Sequence, residues 1–358
     1  MILSVMATVA PSPVRTKPAA RYEKNRAPRV QKIRFYAQLF SLGLNLWIGA
    51  QFYLWTKYLE AAENPGLISR PPGVEGWLPI GSLVSLRYWV ETGILNRIHP
   101  AGLWIFLAIL TIAFLFKKGF CSWVCPVGFI SELIGDTSDR LWRRRLKPPR
   151  WLDYPLRSLK YLLVAFFIWA VLISMSPQAI RDFVYSEYNL VADILMLRFF
   201  VDITAFSLAV VVILFLLSFV VRGFWCRYLC PYGALLGIIG LASPTRIQRR
   251  EATCINCTLC AKACPSFIKV DQVKDVVSDE CTGCMACADA CPVINTLVIK
   301  APARKRPVPT LRRAAVLLVV FWGSLLAAKF FGLWENGVSD QEYRQHIEKA
   351  YRGEYVHP

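Results

Sequence analysis

Between Cys254 and Cys264 the chain runs C-x-x-C-x-x-C-x-x-x-C-P, ending at Pro265, and the same run returns from Cys281 to Cys291, ending at Pro292. Three thiolates this close wrap one face of a cubane in a tight turn. The fourth arrives from the other half of a pseudo-symmetric fold, so the ligands cross over. The spacing therefore predicts Cys254, Cys257, Cys260 and Cys291 around one [4Fe–4S] cluster, and Cys281, Cys284, Cys287 and Cys264 around a second. Residues 246–302 then form an inserted α+β two-cluster ferredoxin-like domain. Structural zinc lacks both the third close cysteine and the trailing C-P.

The other four of the 12 cysteines form a repeat. Cys121-Ser-Trp-Val-Cys125-Pro126-Val-Gly128 returns as Cys226-Arg-Tyr-Leu-Cys230-Pro231-Tyr-Gly233, and Gly135 returns as Gly240, all at an offset of 105 residues. Two thiolates cannot satisfy a cluster, but the two pairs together supply four, enough for a third [4Fe–4S] cluster or another metal. A redox-active dithiol, or a turn that merely ends a helix, are competing readings.

Between these motifs the chain is 55% hydrophobic, above the roughly 45–50% of soluble domains, and its mean hydropathy is +0.41. Five apolar runs approach the length of a membrane span: about Phe35–Trp55, Ala101–Phe116, Ser158–Met175, Ile203–Val221 and Ala314–Leu333. The net charge of +18 is unevenly placed. Arg15, Lys17, Arg21, Lys24, Arg26, Arg29, Lys32 and Arg34 precede the first run. Lys117, Lys118, Arg140, Arg143, Arg144, Arg145, Lys147 and Arg150 follow the second, and Arg222, Arg227, Arg304, Lys305, Arg306, Arg312 and Arg313 follow the fourth. The intervening loops and the tail are basic-poor. Lys and Arg accumulate on the cytoplasmic side, so the expectation is five spans, amino terminus inside and carboxyl terminus outside, with every cysteine on the reducing side where disulfides do not persist. The fold class is mostly α, a polytopic membrane helical bundle. Residues 1–34 are a basic cytoplasmic tail, 35–245 a four-helix membrane domain of two two-helix repeats, and 303–358 the fifth helix and an extracytoplasmic tail.

Several chemistries are disfavoured. Only His99, His346 and His357 are present, no C-x-x-C-H occurs, and no span interior carries a histidine, which argues against haem. Neither a phosphate loop nor a dinucleotide fingerprint occurs, so electrons must enter from a protein or a lipid-soluble carrier. Nothing aromatic and basic follows the amino-terminal arm as a nucleic-acid module would. Met1–Ala10 lacks the preceding basic region of a secretory signal. Lys329 near the end of the last run reads as a snorkelling side chain. His99, at the outer mouth of the second run, reads as a surface residue or as a quinol proton acceptor. Arg70–Gly93 reads as a stretch at the outer interface that packs over the bundle or roofs a quinone pocket. The segment after Trp334, with Tyr343, Tyr351 and Tyr355, reads as a docking segment or a solvated end.

Apolar runs followed by paired C-x-x-x-C-P motifs and then a two-cluster insert resemble the NapH/NosR family of membrane polyferredoxins, from about Phe35 to Lys300. The matching positions are the four motif cysteines and the eight ferredoxin cysteines. The chain departs from the family in lacking the large extracytoplasmic flavin-binding domain of the NosR type, and in carrying a fifth span and tail beyond a NapH-type core. The resemblance implies an electron-transfer subunit of the bacterial or archaeal cytoplasmic membrane that links the quinone pool to redox protein subunits, with lipid but no nucleic acid as a partner. An assembly or regulatory factor supplying electrons to a maturing metalloenzyme, or a docking site for a soluble ferredoxin-type donor, are the alternatives.

Overall fold

The computed structural model describes residues 23–25, 30–61, 68–143, 148–301 and 308–352. Most of the basic arm over 1–34, the cations Arg144, Arg145, Lys147, Arg304, Lys305 and Arg306, and the end of the tail with Tyr355 and His357 lie outside the described residues.

All five apolar runs are helical: α1 (Val30–Glu60), α3 (Pro100–Phe116), α6 (Arg150–Trp169), α10 (Ala205–Val220) and α14 (Thr310–Phe330). Two helices are long and apolar enough by themselves to cross a membrane, Trp151–Ser174 and Thr310–Phe330. A third joins them if α9 (Ala192–Val201) and α10, bent by 80°, count as one span. The protein is thus mostly helical, with two to three candidate membrane spans. α3 has only 17 residues, and α1 carries the buried polar side chains Arg34 and Gln38.

Pro100 opens α3 with a ring that needs no hydrogen-bond partner, and α3 stops at Lys117, whose φ of 61° no helix continues. Each cysteine motif then starts another helix: α4 (Gly119–Trp123) leads to α5 (Pro126–Leu141), and a π-helical turn over Trp225–Leu229 leads to α11 (Pro231–Leu241). The Sγ atoms of Cys125 and Cys230 cap these helices, accepting from the backbone N–H of Gly128 at 3.4 Å and Gly233 at 3.3 Å.

The repeat thus extends past each motif, and its halves are exchanged. A Cβ on Gly135 of α5 would lie 2.6 Å from Arg222 at the end of α10, and one on Gly240 of α11 would lie 3.3 Å from Lys117 at the end of α3. Lys117 and Arg222 are themselves 105 residues apart, so each half packs its second helix on the other half's span. Ser138 and Ser243 repeat the exchange by donating to the Phe219 and Leu115 carbonyls. This self-complementary contact is what a two-fold axis generates.

Strands β1 (Arg246–Arg249) and β2 (Leu297–Lys300) pair antiparallel, Arg246 against Lys300 and Arg249 against Leu297, and close the ferredoxin segment on itself. The segment is built into the bundle: Met285 and Ile299 share one core with Ile109, Ile112 and Leu317. Gly283 makes the contact possible, because a Cβ there would meet the Phe116 carbonyl oxygen at 2.7 Å and its φ is +62°.

At the far end, Arg70–Gly93 is ordered as a 3₁₀ turn (Pro72–Trp77) and α2 (Pro79–Thr92) packed on α3. The described part of the tail is helical and packed on one face. Helix α15 (Asp340–Arg352) lays Tyr343, Ile347 and Ala350 into a core with Phe52, Trp55 and Ile194. His99 is buried rather than interfacial, its Nε2 2.7 Å from the Asn189 carbonyl and its Nδ1 3.6 Å from Glu75. Lys329 is exposed, as a snorkelling side chain would be.

Candidate iron–sulfur centres

The cysteines fall into three quartets. Cys254, Cys257, Cys260 and Cys291 line one small cavity, and Cys264, Cys281, Cys284 and Cys287 line another, so the crossed pairing is the one the backbone makes. The loops that do this are strained in register. Asn256 and Thr258 have φ of 53° and 60°, and Gly283 and Met285, 27 residues on, have 62° and 62°. Left-handed residues alternating with right-handed ones turn backbone N–H groups into one concavity, a nest for an anionic centre. At non-glycine positions this costs roughly 1–2 kcal/mol each, which the spacing of the cysteines does not reveal.

Burial pushes the Cys260 and Cys264 thiols up to about 11, so they carry protons until a metal displaces them. Four soft sulfur donors per cavity, lined by inward N–H groups, suit a cubane. A single zinc ion would gather its sulfurs to about 2.3 Å from the metal. Among the described residues no three His, Cys, Asp or Glu groups converge closely enough to hold one ion.

The third quartet, Cys121, Cys125, Cys226 and Cys230, is brought together by the exchanged repeat at the wall of a cavity of about 800 Å³. From these thiols the cavity extends along apolar side chains of α1, α3, α6 and α14, including Ile48, Ile109, Phe167 and Leu325. It ends under Gly76, Trp77 and Leu83 of the Arg70–Gly93 stretch. His99 does not line it. The two motif helices aim their amino termini, with their partial positive charge, at the capping sulfurs of Cys125 and Cys230.

Charges that the sequence marks only as topological cations, together with carboxylates it does not mark at all, sit between the quartets. Lys118 lies beside the membrane-edge thiols and donates to Glu280 at 3.3 Å, while Lys160 donates to the other Glu280 oxygen. Burial raises the Glu280 carboxyl, but the two ammonium groups outweigh it and hold it at about 2. Arg34 grips Glu132 with both Nη atoms, Nη1 at 2.6 Å. Pro265, Ser266, Thr282 and Cys284 line both the large cavity and that of the Cys264 quartet, so the two sites share a wall.

The 4Fe-4S binding domain model matches residues 98–149 and again 203–250, one match per repeat, and the 4Fe-4S dicluster domain model matches 246–299. A protein of Escherichia coli (strain K12) named "Putative electron transport protein YccM" is 44% identical over 319 residues, 87% of this chain and 89% of the relative. The chain belongs to the NapH/NosR-type polyferredoxins. The ferredoxin-type protein NapH of Haemophilus influenzae is 31% identical over 160 residues, 44% of this chain and 51% of that one. The regulatory protein NosR of Stutzerimonas stutzeri is 33% identical over 172 residues, 45% of this chain but only 22% of its own length. No solved structure matches the chain. This polyferredoxin is an iron–sulfur protein, and each C-x-x-x-C-P pair falls inside a matched 4Fe-4S segment.

Proposed function

We propose that this polyferredoxin is an electron-transfer subunit of the bacterial or archaeal cytoplasmic membrane that passes electrons between the quinone pool and a redox partner. Cys254, Cys257, Cys260 and Cys291 hold one [4Fe–4S] cluster, Cys281, Cys284, Cys287 and Cys264 a second, and Cys121, Cys125, Cys226 and Cys230 a third. Each cluster supplies one-electron chemistry. The protein fixes spacing, burial and charge.

The observation that carries this reading is the apolar cavity of about 800 Å³ with the third quartet in its wall. That is the size and lining of a site for a largely apolar ligand with a few polar contacts. A quinol that enters among the apolar side chains meets the charged side chains of the lining, Arg34, Lys118, Glu132, Arg222, Arg227 and Glu280, at the cysteine end. Two electrons and two protons must leave it there. The shared wall at Cys284 leads from that end to the second quartet. Cys260 and Cys287 lie close enough for their charges to interact, which leads on to the first quartet. Cys254 and Cys257 there are only partly buried, so a redox partner would dock at that end.

Protein purified anaerobically in detergent is expected to contain about twelve iron atoms per chain, four per quartet. Cys121→Ser combined with Cys226→Ser should remove about four of them and abolish reduction of the remaining clusters by a quinol analogue, while dithionite still reduces them. Unchanged iron in the double variant would rule out the third cluster. Full reduction by the quinol analogue despite iron loss would rule out the route.

A further inference from the structure

Arg313, in the first turn of α14, is 2% exposed and lies where the last helix meets the ferredoxin loop. Its Nη2 donates to the Phe116 carbonyl at 3.1 Å and the guanidinium stands 5.9 Å from the Phe116 ring centre. Nε and Nη1 are buried and have no partner among the described residues. Four other buried cations here are matched by carboxylates, Arg34 by Glu132, Arg70 by Asp193 and Glu75, Lys118 and Lys160 by Glu280, whereas the neighbouring Lys117 has no such ion pair among the described residues. Arg313 makes no ion pair among the described residues. The thiols of Cys281, Cys284 and Cys287 are close enough to interact with its charge, as is the like-charged Lys117. Gly283, between the first two of these, is in contact with it: a Cβ there would lie 3.2 Å from Nη2.

A buried guanidinium with two idle donors is costly unless something negative completes it. We propose that Arg313 sets the reduction potential of the [4Fe–4S] cluster held by Cys264, Cys281, Cys284 and Cys287, through the buried positive charge it holds beside that quartet. The inference rests on the reading of this quartet as a cluster site. Reduction adds one electron and therefore one negative charge, with no proton taken up. A fixed positive charge beside the quartet favours the reduced state, and Arg313 raises the potential. Arg313 is a positioning residue of the electron path and touches no substrate.

The test is an EPR-monitored redox titration of the full-length protein in detergent, with dithionite as reductant, for the wild type, Arg313→Gln and Arg313→Lys. At the ambient potential that half-reduces this cluster in the wild type, Arg313→Gln should lower the reduced-to-oxidised ratio at least tenfold, about 59 mV for one electron. Arg313→Lys keeps the charge and should lower it less, with iron content unchanged in both. An unmoved ratio in iron-replete Arg313→Gln overturns the proposal. So does equal loss of about four iron atoms in both variants, which would make the residue purely structural. A wild type without a cubane signal sinks the underlying reading instead, a result distinct from an unmoved potential.

Discussion

Glu280 shows how a single side chain can hold the seam between the two halves of the molecule. It is 6% exposed, precedes Cys281, and is gripped by Lys118 from the end of α3 and Lys160 from α6. Its folded carboxyl, at about 2, lies below the ordinary 4.5, so its contribution is complete above about pH 4.5 and is lost as pH falls through about 2. The shift corresponds to about 3 kcal/mol. Glu280→Gln would also strand two buried ammonium groups, so thermal melts in detergent should show it several kcal/mol less stable at pH 7, and Lys118→Met added to it should recover part of the loss. The wild-type advantage should be the same at pH 7 and pH 5. A gap that already narrows between those values would mean the carboxyl is not held down. The cysteine pairing was legible because ligand spacing is local and imposed by cluster geometry. Glu280, Lys118 and Arg313 were not. Lys118 and Glu280 are 162 residues apart, and a lysine after a span reads equally well as a solvated topological charge.

At the scale of elements, the five apolar runs are all helices because length and hydrophobicity decide that locally. Pro100 opens α3, and Pro126 and Pro231 open the helices that follow the cysteine motifs. What periodicity does not report is which helix meets which. The exchange of α5 and α11 between repeats depends on Gly135 and Gly240 meeting Arg222 and Lys117, and the repeat was visible without its crossing. The same holds for α15, whose polar composition suggested a free end. Its buried stripe instead closes the far end of the bundle. Tyr343 meets Trp55 edge-on at 5.1 Å, lies under the Arg70 guanidinium at 5.6 Å and accepts from Asn336 at 2.8 Å. Tyr343→Ala should therefore cost about 3–5 kcal/mol, the range for emptying a buried aromatic site. A clear fall in melting temperature with an unchanged EPR spectrum of the ferredoxin clusters is expected, because those clusters sit at the opposite end. An unchanged melting temperature would mean that α15 is not docked.

For the whole molecule, the question is which end faces which side of the membrane. All twelve cysteines gather where α1 and α14 begin and α3 and α10 end. The 3₁₀ turn, α2, α7 (Pro177–Val184), α8 (Glu187–Leu190), α9 and α15 gather at the other. The basic residues follow the same division, and under the proposed reading the charge bias of cytoplasmic segments would put the cysteine end inside and α15 outside. Chemistry favours the same orientation, since iron–sulfur thiolates survive best where disulfides do not form. An odd number of crossings places the two ends of a chain on opposite sides. α3 alone is too short for a crossing, because 17 residues at 1.5 Å each fall short of a hydrocarbon core of about 30 Å. A phosphatase that matures only outside the cytoplasm should thus be active when fused after Pro358 and inactive when fused after Ser243, at the cysteine end. The opposite pattern would invert the protein and place the clusters outside. Activity at neither position would put Ser243 and Pro358 on the same side, and would require α14 to lie in the interface instead of crossing it.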